Sequence, residues 1–141
     1  MSAKSRKQNP PQLSGAEWEV MKTFWRQGPQ AARDVYAGLP EGHGWAYQTV
    51  KTMLSRLVRK GALAYDQIGN SYLYRPVHTR EEMTRAATQS FVDRVFDGAL
   101  KPFAAYCVEE ARPEELEAIR RELDRAARAK KGKRQSGGRV N

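Results

Sequence analysis

Between residues 47 and 60 the apolar positions Val50, Met53, Leu54, Leu57 and Val58 fall three and four residues apart, the spacing of one face of an α-helix. Gln48, Thr49, Lys51, Thr52, Ser55, Arg56 and Arg59 lie largely off that stripe, and none of them is acidic. Gly61 is suited to end the helix in the left-handed conformation. The period then changes from helical to alternating. Ala62–Asp66 and Ser71–Arg75 read as two short strands around a turn at Gln67-Ile68-Gly69-Asn70. Tyr72 and Tyr74 share one face of the second strand and Leu73 takes the other. A short helix with a basic, amide-bearing outer face followed by a hairpin is the layout of a winged helix-turn-helix, in which that face meets base edges and phosphates in a major groove. The alternative is an amphipathic core helix with a solvated polar face.

Upstream, Ser14 and Glu17 have the spacing of a capping box, and Leu13 with Trp18 suits a hydrophobic staple. Trp18, Met21, Phe24 and Trp25 recur at helical spacing, which predicts a first helix with its aromatic residues in the core. Gly28-Pro29 ends it. A second helix is predicted over Ala31–Leu39, with Ala31, Val35 and Leu39 spaced by four. Pro40 to Gly44 is a loop, after which Trp45 packs down onto the core. His43 has no second ligand at metal-binding spacing and is expected to be a solvated loop residue.

Downstream, Thr79 and Glu82 repeat the capping-box spacing and open a helix to about Phe96, with Met83, Ala86, Ala87, Phe91 and Val95 as its apolar positions. Asp97-Gly98 breaks it. Leu100, Phe103, Ala104 and Val108 mark a short helix to about Glu110. Pro113 with Glu114 and Glu115 starts a last helix whose narrow seam is Leu116, Ile119 and Leu123. Three helices with so few large apolar groups do not close a core alone. A second copy of the segment would close it, so a homodimer is predicted, with Phe91, Val95, Phe96, Leu100, Phe103, Leu116, Ile119 and Leu123 as dimerisation residues.

The chain has 141 residues and a net charge of +9. Residues 1–78 hold 11 Lys/Arg against 5 Asp/Glu, residues 79–127 hold 8 against 11, and residues 128–141 hold 6 basic residues and no acid. A basic front half and an acidic middle argue for two functional units, the first of which meets a polyanion, most simply nucleic acid. The single cysteine, Cys107, leaves no intramolecular disulfide and no cysteine-based metal cluster. No apolar run is long enough to span a membrane, and no apolar segment follows Lys4, Arg6 and Lys7, so a cytoplasmic protein without a membrane partner is expected. The expected fold is mainly α, an α+β winged helix-turn-helix with a C-terminal helical dimerisation arm. Its expected parts are a disordered basic arm (1–12), a winged-helix DNA-binding domain (13–78), a helical dimerisation domain (79–128) and a disordered basic tail (129–141).

The chain resembles the penicillinase-repressor family of bacterial transcriptional repressors (the BlaI, MecI and CopY type). The resemblance rests on Leu13-Ser14-x-Ala16-Glu17-Trp18-Glu19-Val20-Met21 with Trp25, and on Thr49-Val50-Lys51-Thr52-x-Leu54-x-Arg56-Leu57-x-x-Lys60-Gly61. Gly69, Tyr72, Tyr74 and Pro76 of the hairpin match as well, as does Ser90-Phe91-Val92-Asp93-Arg94-Val95-Phe96-Asp97-Gly98 at the start of the dimerisation segment. It implies a homodimer that sits on a palindromic operator in double-stranded DNA and blocks transcription. Carried over by position, it points to Thr49, Lys51, Thr52 and Arg56 on the third helix, with Tyr47 and Gln48 at its start. Many relatives have Ser-Pro before this helix where this chain has Ala46-Tyr47, and the wing tip carries Asn70 in place of a basic residue. Copper-responsive members carry paired Cys-x-Cys motifs, absent here. Members that respond to β-lactams are cut by a regulatory protease at an Asn-Phe bond, a position that falls at Tyr106-Cys107.

The resulting expectation is a repressor with Tyr47, Gln48, Thr49, Lys51, Thr52, Ser55, Arg56 and Arg59 as DNA-binding residues, and with Lys60 adding phosphate attraction. A winged-helix protein-interaction module and a nonspecific DNA-binding protein are the alternatives. No nucleophile, base and orienting group cluster, and no glycine-rich phosphate loop precedes a helix, so no enzyme, catalytic residue, metal or cofactor is expected.

Overall fold

The computed structural model describes residues 9–137, with side chains described through residue 134. Its elements are α1 (Gly15–Gln27), α2 (Ala32–Gly38), α3 (Tyr47–Lys60), β1 (Leu63–Ile68), β2 (Ser71–Pro76), α4 (Arg80–Val95), α5 (Leu100–Glu110) and α6 (Pro113–Gly137). The chain forms two compact units, one ending at Phe91 and the other beginning at Val92. The first unit thus reaches well into α4, beyond residue 78.

The first unit is a winged helix-turn-helix. Ser14 caps α1 by accepting from the Glu17 amide, and Glu17 reaches back to the Ser14 amide, completing the capping box. The core gathers Val20, Met21 and Phe24 of α1, Val35 of α2, Leu39, the stripe Val50, Met53, Leu54 and Leu57 of α3, then Ala62, Leu63 and Tyr74. Trp18 and Trp25 are not in its centre. Both are half-buried at the rim, with ring centroids 5.7 Å apart, and the Trp25 indole N–H donates to the His78 carbonyl at 3.2 Å. Large indoles with a polar edge settle where one side still reaches backbone or water.

α3 ends on Gly61 at φ 89°, as its left-handed C-cap. β1 and β2 pair antiparallel with Tyr65 opposite Tyr74 and Gln67 opposite Tyr72. The strands run further than the alternating pattern suggests, leaving only Gly69-Asn70 as the turn. Gly69 has φ 62° and Asn70 has no positive φ, the pattern of a type II′ turn, whose twist matches that of the strands it joins. Gln30 adds a short third rung by exchanging both backbone hydrogen bonds with Tyr74, at 2.9 and 2.8 Å.

In the second unit Asp97 (φ 52°) and Gly98 (φ 81°) end α4 as the Asp-Gly pair predicts. The Phe96 and Phe103 rings pack at a tilt of 50°, with centroids 5.5 Å apart. No residue of α5 is buried, and Val95, Leu100, Tyr106, Val108, Leu116 and Leu123 are exposed. Val108, Leu116, Ile119 and Leu123 line an open apolar groove with Pro113, Glu117 and Arg120. α6 opens with the Arg112 amide donating to Glu115 and with Pro113 at its first position. It continues to Gly137, whereas composition places the start of an unstructured tail at Ala129. Ala129, Lys130 and Lys131 are good helix formers, and cations in the last turns favour the negative end of the helix dipole. The remainder of that tail, and the arm up to residue 8, lie outside the described residues. No helix among the described residues is long and apolar enough to cross a membrane.

Candidate nucleic-acid interface

The buried stripe of α3 determines what its other face can offer. At about 100° per residue, Gln48, Thr52, Ser55 and Arg59 stand opposite the stripe. Thr49 and Arg56 take one flank, Tyr47 and Lys51 the other. All are exposed except the half-buried Tyr47. The eight residues singled out from the sequence therefore occupy one continuous surface of α3. No carboxylate lies on this helix, so the face is electropositive throughout.

Its donors and acceptors are those that read duplex edges. The Gln48 amide suits adenine, the guanidinium groups of Arg56 and Arg59 suit guanine or phosphate, and Ser55 and Thr49 suit either role. Thr52 is partly committed. Its hydroxyl donates to the Gln48 carbonyl at 3.0 Å, leaving the oxygen as an acceptor. Ala46 provides no side-chain cap for α3.

Lys60 does not join this surface. Its ammonium donates to the buried carboxylate of Glu17 at 2.7 Å and to the Gln12 carbonyl at 3.1 Å. The sequence places it among phosphate-attracting cations, but the pair it makes instead ties the end of α3 to the start of α1. Burial raises the Glu17 pKa, and the hydrogen bonds from Lys60 and Ser14 outweigh it, so the carboxyl is held below its ordinary value. His43 is likewise more engaged than a solvated loop histidine. Its Nδ1 accepts from the Trp45 amide at 2.9 Å, and its ring meets Tyr36 edge-on at 5.3 Å.

On the hairpin, Tyr65, Tyr72 and Tyr74 cluster on one face, with Tyr65 and Tyr72 centroids 4.4 Å apart. Arg75 is paired with Asp66 at 3.2 Å, so the wing presents little free positive charge.

Arg33 escapes a sequence reading. It is exposed on α2 and lies over the Tyr47 ring, 5.0 Å from its centroid. Val35 and Leu39 turn inward, which is the signal that would have put Arg33 on the outer face.

A family model described as penicillinase repressor matches residues 13–125. The penicillinase repressor of Bacillus licheniformis is 34% identical over 90 residues, 64% of this chain and 70% of that protein. The transcriptional regulator BlaI of Mycobacterium tuberculosis is 31% identical over 113 residues, 79% of this chain and 82% of that protein. Among solved structures, the Bacillus licheniformis BlaI monomeric form in complex with the blaP half-operator is 35% identical. That match covers 55% of this chain and 93% of the other, with a TM-score of 0.46.

Proposed function

Because the chain belongs to the penicillinase repressor family, a family of transcriptional repressors and not of enzymes, we propose that it is a sequence-specific DNA-binding repressor acting as a homodimer on a palindromic operator. The observation that carries this reading is the face of α3. Gln48, Thr49, Thr52, Ser55, Arg56 and Arg59 are exposed together away from a stripe whose Val50, Met53, Leu54 and Leu57 are buried, with no acid among them. In this reading α3 lies in the major groove. Lys51 and Arg59 contact phosphate, and Gln48, Thr49, Thr52 and Arg56 discriminate bases.

The homodimer is supported by the second unit. Val95, Leu100, Leu116 and Leu123 of that unit, with Phe91 at the end of the first, remain exposed in the single chain, and a second copy would remove these apolar groups from water along with Phe96, Phe103 and Ile119. Two half-sites bound at once give the dimer an affinity that one unit lacks. The site of action is the cytoplasm, where operator DNA is found. For a regulatory protease, the bond to examine is Tyr106–Cys107 on α5, where Tyr106 is exposed and Cys107 half-buried.

Selection of bound duplexes from a randomised library tests the proposal whatever the operator sequence. The expected product is an inverted repeat whose half-sites lie about one helical turn, 10–10.5 base pairs, or a multiple of it apart. Recovery of unrelated sequences with equal affinity would leave only nonspecific binding.

A further inference from the structure

Two cations converge on one aromatic ring at the start of α3. Arg33 Cζ lies 5.0 Å and Lys51 Nζ 5.6 Å from the centroid of Tyr47. Tyr36 meets the same ring edge-on, with centroids 5.6 Å apart at 80°. The platform is therefore held from α2 as well as from its own helix. Among the described residues neither cation forms an ion pair with a carboxylate. Two like charges drawn to one ring repel each other, and at an exposed site the attraction of the ring offsets this only weakly. An anion between or beside them supplies what the ring does not.

We propose that Arg33 and Lys51 form a clamp on the DNA phosphate backbone, with the Tyr47 ring as the platform that holds both side chains in place. The guanidinium of Arg33 offers a planar fork to phosphate oxygens and the ammonium of Lys51 a compact charge. α2 is the first helix of the helix-turn-helix pair, the one that crosses the backbone while its successor enters the groove. The clamp rests on the DNA-binding reading of α3 and adds to it a contact from a different helix and a role for Tyr47 other than base reading. Pre-positioning by the ring lowers the side-chain entropy lost when phosphate binds.

The test measures binding of the full chain to a labelled duplex of arbitrary sequence by fluorescence anisotropy across a salt series. This probe reports phosphate contacts without requiring the operator. Arg33→Ala is expected to weaken binding several-fold and to reduce the slope of log affinity against log salt by about one. Tyr47→Leu keeps both charges, so it should weaken binding while leaving most of the slope, and Tyr47→Phe should restore wild-type affinity. The double variant R33A/Y47L should lose less than the sum of the two single losses. Lys22→Ala, which removes a cation paired with Glu19 on α1, serves as the control and should change nothing. Arg33→Ala binding with wild-type affinity and slope would overturn the clamp while leaving the DNA-binding reading intact. Absence of salt-dependent binding by the wild-type chain would overturn both. A folded Tyr47→Phe variant as weak as Tyr47→Leu would overturn the role given to the ring, because the phenol hydroxyl would then be the group that matters.

Discussion

Glu17 closes the capping box of α1 and, with the same carboxylate oxygen, accepts the hydrogen bond of Lys60 from the last turn of α3. Its other oxygen is buried with no partner among the described residues, so the Lys60 bond carries much of what offsets its burial. A carboxyl held below its ordinary 4.5 binds protons less readily folded than unfolded. Its contribution is therefore complete above the unfolded value and is lost as pH falls through the lowered folded value. Glu17→Gln keeps the reach back to Ser14 but removes the charge. We expect it to cost about 2 kcal/mol at neutral pH and to flatten the acid limb of the stability profile, as measured by urea unfolding at several pH values. At Lys51 the expected outcome concerns binding. Lys51→Ala should weaken binding to every sequence and lower the salt slope by about one. A changed sequence preference with an unchanged slope would place Lys51 on a base instead. The capping role of Glu17 is legible in the sequence because it depends on a spacing of three. Its pairing with Lys60 spans 43 positions, a separation at which local patterns carry no information.

At the level of elements, α3 is the best specified. Its stripe, its polar face and its terminal glycine all act within a few residues, and the structure reproduces them. Gly61 at φ 89° occupies a region where a Cβ is strained, so Gly61→Ala should cost about 1–2 kcal/mol, read from the shift in denaturant midpoint. The hairpin was legible as two strands, but the length of its turn was not, because Gln67 and Ile68 suit either a turn or a strand until Ser71 and Tyr72 pair across from them. The rung at Gln30 had no local signature at all. It exists because Tyr74 brings β2 alongside the start of α2. Arg33 is obscured for the same reason. Its contact with Tyr47 joins two helices across a loop, whereas Tyr47 by itself stands out in the sequence as a DNA-binding candidate at the helix start.

Taken whole, the chain places an exposed basic face on its first unit and exposed apolar positions on its second. The change of charge sign along the sequence anticipates that division, although the first compact unit reaches Phe91, because α4 is one uninterrupted helix that no glycine or proline divides. If the second unit pairs two copies, replacing exposed Leu116 and Leu123 by aspartate should shift the chain from dimer to monomer in sedimentation equilibrium while leaving the fold of the first unit intact. Operator affinity should then fall by orders of magnitude, since each half-site would be held singly. The most direct measurement is a footprint of the wild-type protein on the DNA upstream of its own gene across a salt series. Protection of a discrete site with dyad symmetry, persisting at physiological salt, is the predicted result. Uniform, salt-sensitive coating without a discrete site would contradict a sequence-specific dimer at that locus.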